Sequence, residues 1–180
     1  RSSDLLGVST GFPAGWTSAF ADSTTAGRDR VVDIGYKIAS SEGTTYQFDN
    51  DSDVNREMQC VVSVYSDVNA SQLDVSPTAS HSSFYENDST PTPPAITGVS
   101  NGAMVVVFAT SHGAINSRTC TAPSGYTLRH GTTDPRANAF VCVAEKSVTT
   151  DETPGDFTIN NYTTGDDTYA ATIAIAPAAA

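Results

Sequence analysis

The sequence predicts an all-β protein, an antiparallel β-sandwich built from an internally duplicated unit of four to five strands. Three observations support this. Apolar and polar residues alternate over several segments, clusters of Gly, Pro, Ser, Thr, Asn and Asp separate these segments, and one short motif occurs twice. Convincing helical spacing of apolar residues over ten or more positions is absent, so the pattern favours strands over helices.

The alternating segments are the predicted strands. Residues 30–39 alternate apolar with polar or small side chains, which is typical of a strand with one buried face. Residues 57–65, 137–146 and 168–176 continue the theme. Residues 103–110 are apolar on both faces, which predicts a strand in the middle of a sandwich.

The repeated motif is proline-small-glycine-aromatic-threonine. Its first copy lies at residues 13–17 and its second copy lies 110 residues later, at residues 123–127. Similarity continues downstream, since residues 24–37 resemble residues 132–146 and both stretches end in lysine. The motif residues are Pro13, Gly15, Trp16, Thr17, Pro123, Gly125, Tyr126 and Thr127.

The motif suits a scaffold. Proline fixes φ and ends the preceding strand, and glycine permits the turn that follows. We expect Trp16 and Tyr126 to enter the core as large apolar side chains with a polar edge, and we prefer this role to ligand stacking. Threonine suits the strand that comes next.

The repeats also predict the domain organisation. We expect one β-sandwich domain over residues 1–180, with repeat one at about 4–65, a crossover at 66–94 and repeat two at about 95–177. Each copy alone is too small to bury a core. Repeat one has no counterpart of residues 93–100, so we expect its first strand to precede Arg1.

Charge excludes two classes of partner. The chain carries 20 acidic and 9 basic side chains, for a formal net charge of −11. Binding to nucleic acid requires clustered cations that neutralise phosphates, and anionic lipid also attracts positive charge. The sequence also contains no apolar run of about 18 residues. We therefore expect neither nucleic acid nor membrane as a partner.

Catalytic constellations are absent from the sequence. The three histidines, His81, His112 and His130, lie apart and form neither an HExxH motif nor a paired metal spacing. The short stretches at residues 111–113 and 123–125 do not match the G-x-S-x-G turn of serine hydrolases either. We predict that the protein is not an enzyme and has no cofactor.

One acidic run is the candidate for a metal site. Alternate residues from 49 to 57 would share one side of an extended segment, and hard cations such as Ca²⁺ bind several oxygens of this kind. These residues are Asp49, Asp51, Asp53, Asn55 and Glu57. The EF-hand template fails here, because Val54 occupies the position of its glycine. We prefer a solvated acidic loop.

The three cysteines, Cys60, Cys120 and Cys142, have no zinc spacing. They are predicted to be buried small apolar residues. A disulfide between Cys120 and Cys142 is the alternative, and the sequence does not decide between the two.

The chain resembles bacteriophage virion proteins of jelly-roll type. The resemblance covers nearly the whole chain, and its motifs are the proline-glycine-tryptophan-threonine turn, a Tyr-Lys-x-Ala strand end, a Tyr-x-Phe strand and a Pro-Pro-x-Ile-Thr lead-in. The residues that carry it are Pro13, Gly15, Trp16, Thr17, Tyr36, Lys37, Ala39, Tyr46, Phe48, Val61 to Tyr65, Pro93, Pro94, Ile96, Thr97, Gly102, Val105 and Val106. The second copy departs from the pattern at Tyr126, where tryptophan is usual, and at Glu145, where tyrosine is usual.

This resemblance implies a jelly-roll-like fold and a non-enzymatic structural role. We expect a capsid decoration (cement) protein on the exterior of the virion, or an accessory part of the head or tail. Its expected partners are a major capsid or tail protein and other copies of itself in a symmetric oligomer. Within the crossover, Phe84 and Tyr85 are candidate docking residues.

Two alternatives remain open. One is a carbohydrate-binding or adhesive jelly-roll module on a fibre or cell surface, for which Tyr85, Tyr126 and Tyr162 are the aromatic residues to test. The other is a subunit of an extracellular filament whose missing strand is supplied by a neighbour.

Overall fold

A computed structural model of the chain describes residues 12–24, 30–39, 45–48, 60–66, 68–76, 78–81, 89–112, 117–131, 139–161 and 167–177. The described residues contain strands, turns and irregular segments but no helix. Among them there is consequently no helix long and apolar enough to cross a membrane. The prediction of an all-β protein with antiparallel sheets is confirmed.

The chain divides into two compact units, residues 1–56 and 57–180. In the first unit, strand β1 (Thr17–Thr24) pairs antiparallel with β2 (Arg30–Tyr36). Strand β2 occupies most of the predicted strand at residues 30–39. The single domain over the whole chain stays a prediction.

The second unit contains eight of the described strands. They are β3 (Val68–Leu73), β4 (Thr78–His81), β5 (Met104–His112), β6 (Thr119–Thr121), β7 (Thr127–His130), β8 (Ala139–Ser147), β9 (Thr158–Asn160) and β10 (Asp167–Pro177). The large antiparallel sheet has the order β3-β10-β5-β8-β7, and β4 also pairs with β10. Strands β6 and β9 form a separate antiparallel pair.

Strand β5 lies in the middle of the large sheet, between β10 and β8. Val105 and Val107 are fully buried on one face of this strand, and Val106 is 1% exposed on the other. The predicted strand with two apolar faces is therefore confirmed, and its place in the middle of a sandwich stays a prediction. Removing these side chains from water is the main force that holds a strand in such a position.

The core of the second unit lies on one face of the large sheet. Val105 and Val107 of β5 pack there with Phe140 and Ala144 of β8. Phe157, which precedes β9, and Ile159 within β9 complete this cluster and are 0% and 2% exposed. The opposite face is also buried at Val106, Val143, Ala171 and Ile173.

Aspartates fix the turn that precedes β5. Asp151 Oδ1 accepts hydrogen bonds from the backbone N–H groups of Gly98 at 2.6 Å and Val99 at 3.2 Å. Asp74 Oδ2 accepts another from the N–H of Ser100 at 2.5 Å. Carboxylates satisfy backbone donors that this irregular segment leaves unpaired, and such charge-assisted bonds are strong.

Two segments differ from the expectation. Within the predicted crossover at 66–94, β3 and β4 both pair with β10, which spans 11 residues and is long enough for two short strands in succession. Conversely, the predicted strand at 57–65 is wrong over its described part, because residues 60–65 form no strand. A strand requires a partner ladder, and β propensity alone does not supply one. The jelly-roll topology and the internal duplication stay predictions.

Candidate functional site

The first repeated motif forms a tight turn in the first unit. The backbone N–H of Trp16 donates a hydrogen bond of 3.2 Å to the Pro13 carbonyl oxygen. Gly15 has a φ of +88°, a left-handed conformation that glycine adopts without the penalty of a Cβ. Strand β1 then begins at Thr17. The motif thus forms the turn that leads into β1.

The second copy forms a turn of the same kind in the second unit. The Tyr126 N–H donates to the Pro123 carbonyl oxygen at 3.0 Å, and Gly125 has a φ of +84°. Strand β7 then begins at Thr127. Two stretches with similar sequences therefore adopt similar local geometries.

Strand pairing extends this similarity. Thr17 lies opposite Tyr36, and Thr127 lies opposite Glu145, each partner being the residue before a lysine. In both pairs the register then shifts between the first and third residues after the threonine. Such a β-bulge bends a strand and increases its twist. The two turns thus lead into strand pairs with equivalent registers.

Lys37 follows the strand pair in the first unit, and its side chain lies over the turn at Gly15. Its Nζ also lies 5.8 Å from the centroid of the Tyr46 ring, a distance typical of a cation–π contact. A side chain at Gly15 would therefore contact the lysine. It would also be strained, because L residues rarely adopt this φ.

Lys146 has a corresponding place in the second unit. Its Nζ lies 5.6 Å from the centroid of the Tyr126 ring and 2.8 Å from Glu152 Oε1. Burial raises the pKa of the Tyr126 hydroxyl, and the nearby Glu152 carboxylate raises it further. The half-buried Tyr126 ring thus contacts the chain's own groups, which disfavours a role for it in sugar stacking.

Aromatic rings surround Trp16 in the first unit. The Phe12 ring stacks on Trp16 with centroids 5.9 Å apart, and the rings of Tyr46 and Phe48 meet it edge-on at 5.7 and 5.6 Å. Such pairs are favourable beyond the burial of their area. Trp16 is accordingly part of a packed cluster.

Asp33 lies on β2 and is half-buried. Burial raises the pKa of this carboxyl to about 6. Its Oδ1 is buried and makes no hydrogen bond. No hydrogen bond to Oδ1 offsets the cost of burying the charged carboxylate, so the neutral form is favoured at mildly acid pH.

Glu145 is the centre of an ionic network that the sequence did not predict. It is only 8% exposed, and its Oε1 accepts a hydrogen bond of 2.6 Å from Arg129 Nε. Its Oε2 accepts another, of 2.9 Å, from the Tyr65 hydroxyl. The hydrogen bond to Glu145 raises the pKa of Arg129, whereas burial, followed by Glu145, raises that of Tyr65. The departure from the motif at Glu145 was the available signal for this site.

Cys120 and Cys142 form a disulfide in the structure, with their Cα atoms 6.4 Å apart. Cys120 lies in β6 and Cys142 in β8, so the bond joins the small sheet to the large one. Cys142 is fully buried and Cys120 is 7% exposed. Cys60 is a free and exposed thiol, contrary to the buried position expected for it.

Several predicted site residues lie outside the described part of the chain. They are Asp49, Asp51, Asp53, Asn55, Glu57, Phe84, Tyr85 and Tyr162. The acidic run and the docking pair therefore stay predictions. Within the described ranges, no three His, Cys, Asp or Glu residues lie close enough together to hold a metal ion.

Comparison with known proteins adds no assignment. No family model, curated protein or solved structure matches the chain.

Proposed function

We propose that the chain is a non-enzymatic virion structural protein that binds the outside of a phage capsid as a decoration protein or serves as an accessory component of the head or tail. The observation that carries this proposal is that both copies of the repeated motif form a turn of the same kind. Pro13 and Gly15, like Pro123 and Gly125, build turns, and Pro13 and Gly15 are among the residues that carry the resemblance to virion proteins.

We further propose a jelly-roll-like sandwich made from a duplicated unit. The equivalent registers at Thr17 and Thr127 support it, as do the two register shifts at matching positions. The clusters also correspond, since Trp16 packs with Phe48 in the first unit, and Tyr126 packs against the core that contains Ile159 in the second.

An exterior location follows from the same proposal. A disulfide such as Cys120–Cys142 persists in oxidising surroundings, as on the surface of a released particle. The net charge of −11 favours a partner surface of opposite sign and keeps the free protein soluble. The proposed partners are a major capsid or tail protein, with neither nucleic acid nor membrane involved.

The proposed mechanism is multivalent attachment. Each copy makes modest contacts across the boundary between two capsid subunits, and particle symmetry repeats those contacts many times. Because the sites on one shell are linked, their effects combine and the shell resists rupture more than one contact would allow.

The experiment compares particles with and without the protein. We expect particles that lack it to lose their genome at lower temperature and to be less stable at low salt, and addition of the purified protein to restore both properties. Electron density for the chain on the outer surface would support the proposal. Equal resistance with and without the protein, or density inside the shell, would contradict the cementing role.

A filament subunit is the second candidate, and one observation favours it. Residues 60–65 are rich in β-branched side chains but form no strand, as in a fold that accepts a neighbour's strand. Helical polymers of the purified protein would support this candidate over decoration. The carbohydrate-binding alternative has no comparable support in the described residues, and a glycan array tests it.

A further inference from the structure

Residues 60–65 form an exposed segment with two sides. Val62 and Val64 are 48% and 87% exposed, whereas Val61 and Tyr65 are half-buried. The Tyr65 hydroxyl bonds to Glu145 of β8, so the half-buried residues face the rest of the second unit and the two exposed valines face solvent. Two neighbouring valines with this exposure form an apolar strip on the surface of the second unit.

The backbone of this strip is available for pairing. Val61, Val62 and Val64 make no backbone hydrogen bond in the described part of the chain. Natural proteins protect such segments with lysine, proline or a covering element, because unpaired strand-forming backbone pairs readily with another chain. The sequence Cys-Val-Val-Ser-Val-Tyr contains neither a charge nor a proline.

The neutral sequence of this segment, which is symmetric around Ser63, points to a second copy of the same segment as the partner strand. The chain has a net charge of −11, so most contacts between two copies bring like charges together. Residues 60–66 are uncharged, and pairing them with themselves introduces no repulsion at the contact. A twofold contact also requires a self-complementary surface, which a strip of valines on each side of a serine provides.

We propose that residues 61–65 of two copies pair as antiparallel strands around a twofold axis at Ser63. In this register Ser63 lies opposite Ser63 of the partner subunit, and Val62 lies opposite Val64 of the partner subunit. Directly opposed β-branched residues stabilise a strand pair, and the pairing removes the exposed valines from water. The proposal does not depend on the virion role.

The size of the strand contact sets the expected affinity of the dimer. Five paired residues span about 17 Å, and the contact is smaller than the roughly 800 Å² per partner of a standard interface. We therefore expect a dissociation constant on the order of micromolar for the isolated protein. In an assembled particle, where neighbouring copies are held close together, the same contact would be occupied far more often.

Sedimentation equilibrium of the purified chain tests the association. We expect a monomer–dimer equilibrium that Val64→Lys weakens by about 10-fold or more, because two lysines would then flank the twofold axis. Leu128→Lys is the matched control, since Leu128 is 40% exposed but lies on β7, and it should leave the equilibrium unchanged. A wild-type monomer at all concentrations, or equal weakening by both variants, overturns the proposal.

Cysteine cross-linking tests the register. In a Cys60→Ser background, Ser63→Cys should form a disulfide-linked dimer on oxidation, because directly opposed Cα atoms lie within disulfide range. Val62→Cys should cross-link much less, since its opposite residue is Val64. Equal cross-linking of both variants, or no dimer from Ser63→Cys, contradicts the twofold register. Polymers longer than dimers would indicate the filament arrangement instead.

Discussion

The Tyr65 hydroxyl donates a 2.9 Å hydrogen bond to Glu145 Oε2, across a separation of 80 residues. This bond connects the strip of residues 60–65 to β8 in the large sheet. Glu145 is nearly buried, so each donor to its carboxylate replaces water that the site excludes. The tyrosine thereby holds one end of a segment that makes no strand pairing with the described residues.

Tyr65→Phe should lower the free energy of unfolding by roughly 1 kcal/mol, since it removes one donor to a carboxylate at a half-buried site. Urea denaturation measures the change. A double-mutant cycle with Glu145→Ala isolates the interaction, and we expect Tyr65→Phe to have little further effect in the Glu145→Ala background. Full additivity of the two changes would show that the hydrogen bond contributes nothing.

Reduction of Cys120–Cys142 should destabilise the second unit. The bond closes a loop with a sequence separation of 22, for which the chain-entropy model gives about 3 kcal/mol. Thermal unfolding with and without reductant measures the loss, and Cys142→Ala should reproduce it. Cys60→Ser is the matched control because Cys60 is free and exposed. An unchanged melting temperature under reducing conditions would contradict this prediction.

Asp33 should make stability depend on pH. Its folded-state pKa of about 6 lies above the ordinary 3.8, so the folded state binds the proton more tightly. The contribution of Asp33 to stability is therefore greatest below pH 3.8 and is lost as the pH rises through about 6.

Asp33→Asn removes this dependence. The variant should be more stable than the wild type above pH 6 and should approach it at low pH. We expect a difference of about 1 kcal/mol, less than the pKa change alone implies, because the residue is half-exposed and solvent screens its charge. Chemical denaturation across this pH range measures the difference, and parallel stability curves for the two proteins would contradict the prediction.

Substitution of either turn glycine, Gly15 or Gly125, should destabilise the protein. Gly125→Ala places a Cβ on a residue with a φ of +84°, and we expect a loss of about 1 to 2 kcal/mol in unfolding free energy. Gly15→Ala should behave similarly in the first unit. Gly155→Ala is the control, because its φ is not left-handed and a Cβ there makes an ordinary 4.0 Å contact with Pro123. Equal losses for Gly125 and Gly155 would argue against a special role for the turn.

Local pattern was sufficient for several elements. The alternation at residues 30–39 and the doubly apolar run at 103–110 predicted β2 and β5, since the side-chain period of a strand is a local property. The two glycine turns were also predictable, because proline and glycine restrict or extend the backbone at their own positions. All-β character and strand-forming segments thus followed from the sequence.

Partner choice was not predictable in this way. Residues 57–65 have strand composition, yet residues 60–65 form no strand with any described residue. Strands β3 and β4 instead arise in a polar stretch, because β10 offers them an edge. Glu145 likewise accepts a hydrogen bond from Tyr65, which lies 80 positions away in the sequence.

The sequence by itself determined the strand period, the turns and the charge of this protein, because each depends on neighbouring residues. Only the tertiary structure decided which segments pair, which cysteines join and which carboxylates are buried. Those outcomes depend on which distant segments compete for the same edge or the same core, and no local pattern contains that competition.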